Sequence, residues 1–179
     1  MSHVDLEAKT VNVNKTLNDE MEIESGLSDW NHEKYMLKDE IGRGASGRVI
    51  LAKDNHIGRE IAVKELLKDR RPEFLRKKKP KYYINLMKRF LREARITGQL
   101  EHPSIIPVHE IGAKDDGTLY YTMRRIQGKT LHQEIKAADT TEKKLKLLPH
   151  FIDVCNAVAY AHSMGVIHRD IKPDNIMVG

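Results

Sequence analysis

Four groups of residues have types and spacings that could do chemistry. The most concentrated is His168-Arg169-Asp170-Ile171-Lys172-Pro173-Asp174-Asn175, near the end of the 179-residue chain. A carboxylate beside a hydroxyl can accept its proton, and an amide oxygen five residues on can ligate a hard cation such as Mg²⁺; Asp170 and Asn175 have that spacing. The second group is Gly42-Arg43-Gly44-Ala45-Ser46-Gly47, where glycines would let a backbone approach phosphates closely. The third is Lys64, polar within the apolar run Ile61-Ala62-Val63-Lys64. It reads either as a solvated strand lysine or as a point charge for phosphates. The fourth is Glu93, in Phe90-Leu91-Arg92-Glu93-Ala94-Arg95, which could hold such a lysine or lie on a helix surface among i, i+4 charges.

The elements around these groups narrow the options. In a dinucleotide fold the glycines close a strand and open a helix. Here Gly47 runs into Arg48-Val49-Ile50-Leu51-Ala52, a β-branched, strand-like segment, which leaves a phosphate-covering hairpin or a plain flexible one. Tyr35–Leu37, Arg48–Ala52, Glu60–Leu66, Ile105–Ile111 and Leu119–Met123 read as five strands of an antiparallel sheet. A helix from about Lys81 carries Leu86, Phe90, Ala94 and Thr97 on one face and stops at Gly98. A second helix starts at Leu147 or Leu148, with Pro149 tolerated in its first turn, and ends at Gly165. The fold class is α+β: a five-stranded lobe with one helix, followed by a mainly helical segment.

Charge is uneven along the chain. Residues 1–34 sum to −5 and read as an acidic, flexible leader; the remainder sums to +10, with eleven Lys/Arg between residues 68 and 92. A basic body suits anionic ligands such as nucleotides or nucleic acid. Cys155 is the only cysteine, which excludes an intrachain disulfide, and its place in an apolar helical pattern predicts a buried structural thiol. No apolar run approaches the length of about 18 residues that a membrane span needs, and the N-terminus lacks signal-peptide regions. The expectation is a soluble, cytoplasmic protein with no membrane segment.

The set Gly42-x-Gly44-x-x-Gly47-x-Val49, Ile61-Ala62-Val63-Lys64, Glu93 and His168-Arg169-Asp170-x-Lys172-Pro173-x-Asn175 resembles the protein kinase superfamily. Lys172-Pro173 is similar to its serine/threonine branch, and Phe90–Ala94 with Leu100-Glu101-His102-Pro103-x-Ile105 to bacterial eukaryotic-like kinases. The resemblance spans Tyr35 to Gly179. It implies ATP and Mg²⁺ as cofactors and Ser/Thr hydroxyls of proteins as acceptors. Asp170 would orient the hydroxyl and take its proton, Lys172 would neutralise the transferred group and Asn175 would hold the metal. Lys64, steadied by Glu93, would engage the α- and β-phosphates beneath the loop of Gly42, Arg43, Gly44, Ala45, Ser46 and Gly47. Val49 and Ala62 would cover adenine from above and Met177 from below. Met123 would be the gatekeeper, with Arg124 and Ile126 in the hinge, and His168 would pack structurally.

On this reading 35–123 is the first lobe, with a basic insert at about 68–80. Residues 124–179 are the hinge and an incomplete second lobe. Three departures from the family stand out: the chain stops before the Asp-Phe-Gly segment, the stretch from Lys64 to Glu93 is long and basic, and Thr97 replaces a bulky apolar residue. The expectation is a fragment ending just after the catalytic loop, with residual or no turnover. The alternative is a non-catalytic kinase-like nucleotide-binding or regulatory module. A nucleic-acid role for residues 68–92 is a weaker third reading.

Overall fold

A computed structural model describes residues 26–44, 47–67 and 80–179. Residues 1–25 of the expected leader, Ala45 and Ser46 of the glycine loop, and most of the basic insert lie outside the described residues.

The core is a six-stranded sheet, not the expected five, in the order β1-β5-β6-β4-β3-β2. Its strands are β1 (Ser28–Asp29), β2 (Tyr35–Arg43), β3 (Gly47–Asp54), β4 (Arg59–Leu66), β5 (Val108–Ala113) and β6 (Leu119–Arg124). All neighbours are antiparallel except β1, which runs parallel to β5, so the sheet is not purely antiparallel either. A two-residue strand has no periodicity to read, which is why β1 is invisible in the sequence. The strand expected from Ile105 begins at Val108, because Pro107 has no N–H to give to a ladder.

Alternation along β4 sorts the side chains onto two faces. Ala62, Lys64 and Leu66 face the helix α1 (Pro80–Thr97); the register places Val49 opposite Lys64, Tyr121 opposite Lys64 and Met123 opposite Ala62 on that same side. There Phe90, Leu91 and Ala94 of the helix bury against Leu66, Leu119 and Tyr121, with the rings of Phe90 and Tyr121 5.1 Å apart. Phe90 alone contributes about 2–3 kcal/mol of hydrophobic burial.

The other face packs Trp30, Tyr35, Ala52, Ile61, Val63 and Tyr120. Trp30 meets Tyr120 edge-on at 4.8 Å, lies under the Lys114 ammonium, and donates its backbone N–H to the Ala113 carbonyl. The final stretch of the expected leader is therefore part of the sheet. Gly112 makes this possible, since a Cβ there would collide with the Ser28 carbonyl oxygen and the Tyr120 ring. Two carboxylates are set into this face. Glu110 accepts hydrogen bonds from Lys34 at 2.5 Å, Tyr35 at 2.6 Å and Tyr120 at 3.1 Å. Burial pushes its pKa up, and these donors outweigh it, so the carboxyl titrates below its ordinary value. Glu65 is buried between Arg48 and Lys114.

Beyond β6 the chain changes character. A two-stranded sheet of β7 (Lys129–Thr130) and β8 (Met177–Val178) brackets the helices α2 (Leu131–Ala137), α3 (Thr141–Leu145) and α4 (Leu148–Ser163). The long helix lies where the pattern placed it, with Pro149 in the first turn. The short helices were not anticipated, although α2 opens on a capping box between Thr130 and Gln133. Leu148, Phe151, Ile152 and Cys155 are exposed, so the expectation of a buried thiol is overturned. The apolar stripe on α4 is present, but its large members Leu148, Phe151 and Ile152 are left exposed. No helix among the described residues is long and apolar enough to cross a membrane.

Candidate active site

The helix-facing side of the sheet builds the first half of the site. Lys64 reaches from β4 across to α1, where its Nζ lies 2.6 Å from the Glu93 Oε1. Sheet and helix are joined here by an ion pair between residues 29 apart in sequence. The same oxygen accepts a hydrogen bond from the Tyr121 hydroxyl at 2.9 Å, and the lysine Nζ stands 5.4 Å from the Tyr121 ring centroid. Burial, reinforced by the negative Glu93, pushes the Tyr121 hydroxyl far above its ordinary pKa, so it stays protonated as a donor. Val49, Ala62 and Met123 share the face of Lys64, and Ala62 is buried.

The glycine-rich hairpin joins β2 to β3. The Gly44 N–H donates to the Gly47 carbonyl at 2.9 Å and narrows the hairpin at its described end. Gly47 lies so close to β4 that a Cβ would collide with the Glu65 carbonyl oxygen. Gly42 and Gly44 meet no such obstacle. Arg43 turns back onto Glu40 through two bonds of 2.7 Å. Past β6, an open cleft is lined by Glu60, Arg125, Ile126, Gln127 and Gly179. Glu60 also pairs with Lys38 at 2.8 Å and with Arg125, which ties the second strand to the segment after β6.

The second half is the loop from Val166 to Ile176, and its order is local. Arg169 has φ 65°, the left-handed region in which a non-glycine residue costs about 1–3 kcal/mol. This turn lets the Asp170 N–H donate to His168 Nδ1 at 3.2 Å. The Asn175 Nδ2 donates to both the backbone carbonyl of Asp170, at 2.8 Å, and its Oδ2, at 2.9 Å. The side-chain amide oxygen of Asn175 takes no part in these bonds. Lys172 Nζ lies 3.1 Å from the same Oδ2. The bond from Lys172 first, and that from Asn175 second, hold the Asp170 carboxyl below its ordinary pKa, so it is ionised at neutral pH. A 3₁₀ turn, Pro173–Asn175, returns Asn175 to the aspartate. His168 is exposed, in contrast to its expected packing role.

Of the residues singled out from the sequence, Lys64 meets Glu93, and Asp170 meets Lys172 and Asn175. No hydrogen bond or ion pair joins these two sets among the described residues. Met123 lies in β6 and Arg124 ends it; Ile126 lines the cleft, and Met177, partly exposed, pairs with Thr130 in the small sheet. The sequence places Tyr121 in a strand and no more, because nothing in it marks the hydroxyl as facing Glu93.

Residues 35–179 match the family described as protein kinase domain. The chain is also 42% identical over 156 residues to the serine/threonine-protein kinase PknD of Protochlamydia amoebophila, which covers 81% of this chain and 15% of that protein. It is 40% identical over 157 residues to PknD of Chlamydia muridarum, and 39% over the same length to PknD of a Chlamydia trachomatis strain, covering 82% of this chain and 16% of each relative. The chain thus spans about one-sixth of the length of these curated relatives. With a sheet-rich lobe, a strand lysine paired to a helix glutamate and a His-Arg-Asp loop, over four-fifths of its length matched, this chain belongs to the protein kinase family.

Proposed function

We propose that this chain carries the phosphate-holding and hydroxyl-activating groups of a serine/threonine protein kinase, which transfers the γ-phosphoryl group of ATP to protein hydroxyls. The observation that carries this reading is the Lys64–Glu93 ion pair at 2.6 Å, on the sheet face that also presents Val49, Ala62 and Met123.

The residues present suit a nucleotide with its metal. Apolar side chains lie beside one charged, carboxylate-steadied lysine, the pattern of a mostly apolar pocket with a few placed polar groups. Among the described residues no three His, Cys, Asp or Glu side chains converge as a metal cage. Asp170 and Asn175 offer oxygen donors only, the set required of a protein when Mg²⁺ is held largely by phosphates. MgATP supplies the phosphoryl group and the cation that offsets charge on its oxygens.

The chain's own residues then have distinct tasks. Lys64 is kept in place by Glu93 and presents its ammonium to the α- and β-phosphates. The glycine hairpin, whose described glycines are Gly42, Gly44 and Gly47, would supply backbone N–H groups to them. Asp170, ionised and held by Lys172 and Asn175, orients the acceptor hydroxyl and takes its proton. Lys172 lies close enough to Asp170 to balance the charge that develops on the moving group. Asn175 is steadied through its nitrogen and keeps its oxygen for the metal. Val49, Ala62, Met123 and Met177 would contact the adenine, with backbone groups of Arg124 and Ile126 at its edge. Chemistry of this kind is chiefly positioning and charge stabilisation. The single cysteine suits a cytoplasmic location for this activity.

The test is transfer of label from γ-labelled ATP, with Mg²⁺, to a Ser/Thr-containing protein by the full chain. At most residual label on serine or threonine is expected from this chain, and it should disappear in Asp170→Asn and Lys64→Met. Label that persists in Asp170→Asn overturns the assignment of the base. Nucleotide binding that is indifferent to Mg²⁺, with no transfer at all, favours a regulatory nucleotide-binding module instead. Retention of RNA or DNA that weakens steeply with salt would favour nucleic acid.

A further inference from the structure

We infer that Tyr121 is a positioning residue for the Lys64–Glu93 pair, acting through its hydroxyl on the glutamate; this rests on the kinase reading of that pair. The Glu93 side chain is nearly half exposed, at 46%, while Lys64 is far less so, at 19%. A glutamate on a helix surface has three free torsions, and pairing with a lysine in that setting is worth little by itself. Something further must hold the carboxylate on the sheet side of the helix.

Tyr121 is the group that can. It is 5% exposed, and it stands directly opposite Lys64 in the β4–β6 ladder, so its backbone is fixed relative to the lysine. Its ring packs on Phe90, one helical turn before Glu93, and thereby fixes the helix as well. Its hydroxyl donates to Oε1, the same oxygen that receives Lys64. One side chain thus touches the strand's lysine, the helix core and the helix carboxylate. The hydroxyl remains a donor because burial and the adjacent negative charge both disfavour tyrosinate. Phenylalanine at this position would fill the same space and leave the carboxylate with the lysine alone.

A readout independent of phosphoryl transfer is the rate at which the Lys64 amine in the full chain is acetylated by acetic anhydride, followed by mass spectrometry. A lysine whose amine is engaged by a carboxylate against the sheet is poorly accessible to the reagent and slow; one released from it is faster. Tyr121→Phe is expected to raise the Lys64 rate about five-fold, toward the rate in Glu93→Ala. Its unfolding temperature should stay close to wild type, since the ring contact with Phe90 is kept. In the double variant Tyr121→Phe/Glu93→Ala the rate should match Glu93→Ala alone, because the tyrosine acts only through the glutamate. Tyr121→Leu, which also loses the ring contact, should lower the unfolding temperature as well.

A Lys64 rate unchanged in Tyr121→Phe while Glu93→Ala raises it overturns the inference, and so does a rate that rises equally with and without Glu93. Protection of Lys64 by MgATP in the wild type separately tests the kinase reading. Loss of that protection with the Tyr121 effect intact would sink the function but not the positioning role.

Discussion

The two halves of the candidate site are held by opposite means. Lys64 and Glu93 come from a strand and a helix 29 residues apart, and they meet only because a buried core places β4, β6 and α1 against one another. Asp170, Lys172 and Asn175 lie within six residues, all exposed, and are held by hydrogen bonds of their own loop. The same contrast extends to the surroundings. The apolar residues of the first lobe are mostly interior, whereas α4 turns Leu148, Phe151 and Ile152 outward. Functional geometry can therefore be built by packing, which resists local change, or by a strained turn, which depends on a few bonds. Substitutions that empty the packing of the first region should act on stability and site together, and those in the second on the site alone.

The greatest loss of activity should come from the exposed loop, with no loss of stability. Asp170→Asn should remove whatever phosphoryl transfer the chain retains, with an unfolding temperature indistinguishable from wild type. A labelled-ATP assay beside a thermal melt checks both parts. A melt that falls substantially would instead make the exposed loop a stability element.

Paired core substitutions come next. Phe90→Ala should cost about 3–5 kcal/mol in urea unfolding, because it empties a packed site between helix and sheet. Phe151→Ala, on the exposed stripe of α4, should change stability by less than about 0.5 kcal/mol in this chain. Equal losses would show that the stripe is covered.

Gly112→Ala probes how firmly the segment before β2 belongs to the first lobe. The added Cβ meets the Ser28 carbonyl and the Tyr120 ring, so β1 should detach from β5 at a cost of about 2 kcal/mol. Faster hydrogen exchange at the Trp30 amide, which now bonds to Ala113, is the specific sign to measure.

The smallest effect concerns pH. The folded carboxyl of Glu110 titrates below its ordinary value of 4.5 because three donors outweigh its burial. A depressed folded pKa adds stability above the unfolded value, and that stability is lost as pH falls through the folded one. Glu110→Gln should cost about 1–2 kcal/mol at neutral pH and flatten the acid side of the stability curve below about pH 4.5. Asp170 is also depressed, but it is fully exposed, so Asp170→Asn should leave that curve unchanged.

What could be read in advance follows the same division. Asp170, Lys172 and Asn175 were legible because their arrangement is sequence spacing itself, and a local turn converts spacing directly into geometry. The long helix α4 and the strands β3, β4 and β6 were legible from periodicity. The capping box at Thr130 and Gln133 is also written in the sequence, as a signal too short to mark α2 without the helix that follows it. Strand β1 carried no signal, since two residues cannot alternate; it exists because Trp30 finds a site between Tyr35, Tyr120 and Lys114. Cys155 misled because a stripe specifies a face able to be buried, and burial needs a second surface to close on it.

By itself, then, the sequence determined the chemistry available: the glycine hairpin, the lone strand lysine, the helix glutamate and the aspartate–asparagine loop. Tertiary structure alone decided that Tyr121 reaches Glu93 while its neighbour Tyr120 turns to the opposite face and binds Glu110. Adjacent residues of a strand point to opposite sides, and which side meets which carboxylate is settled only when sheet and helix pack.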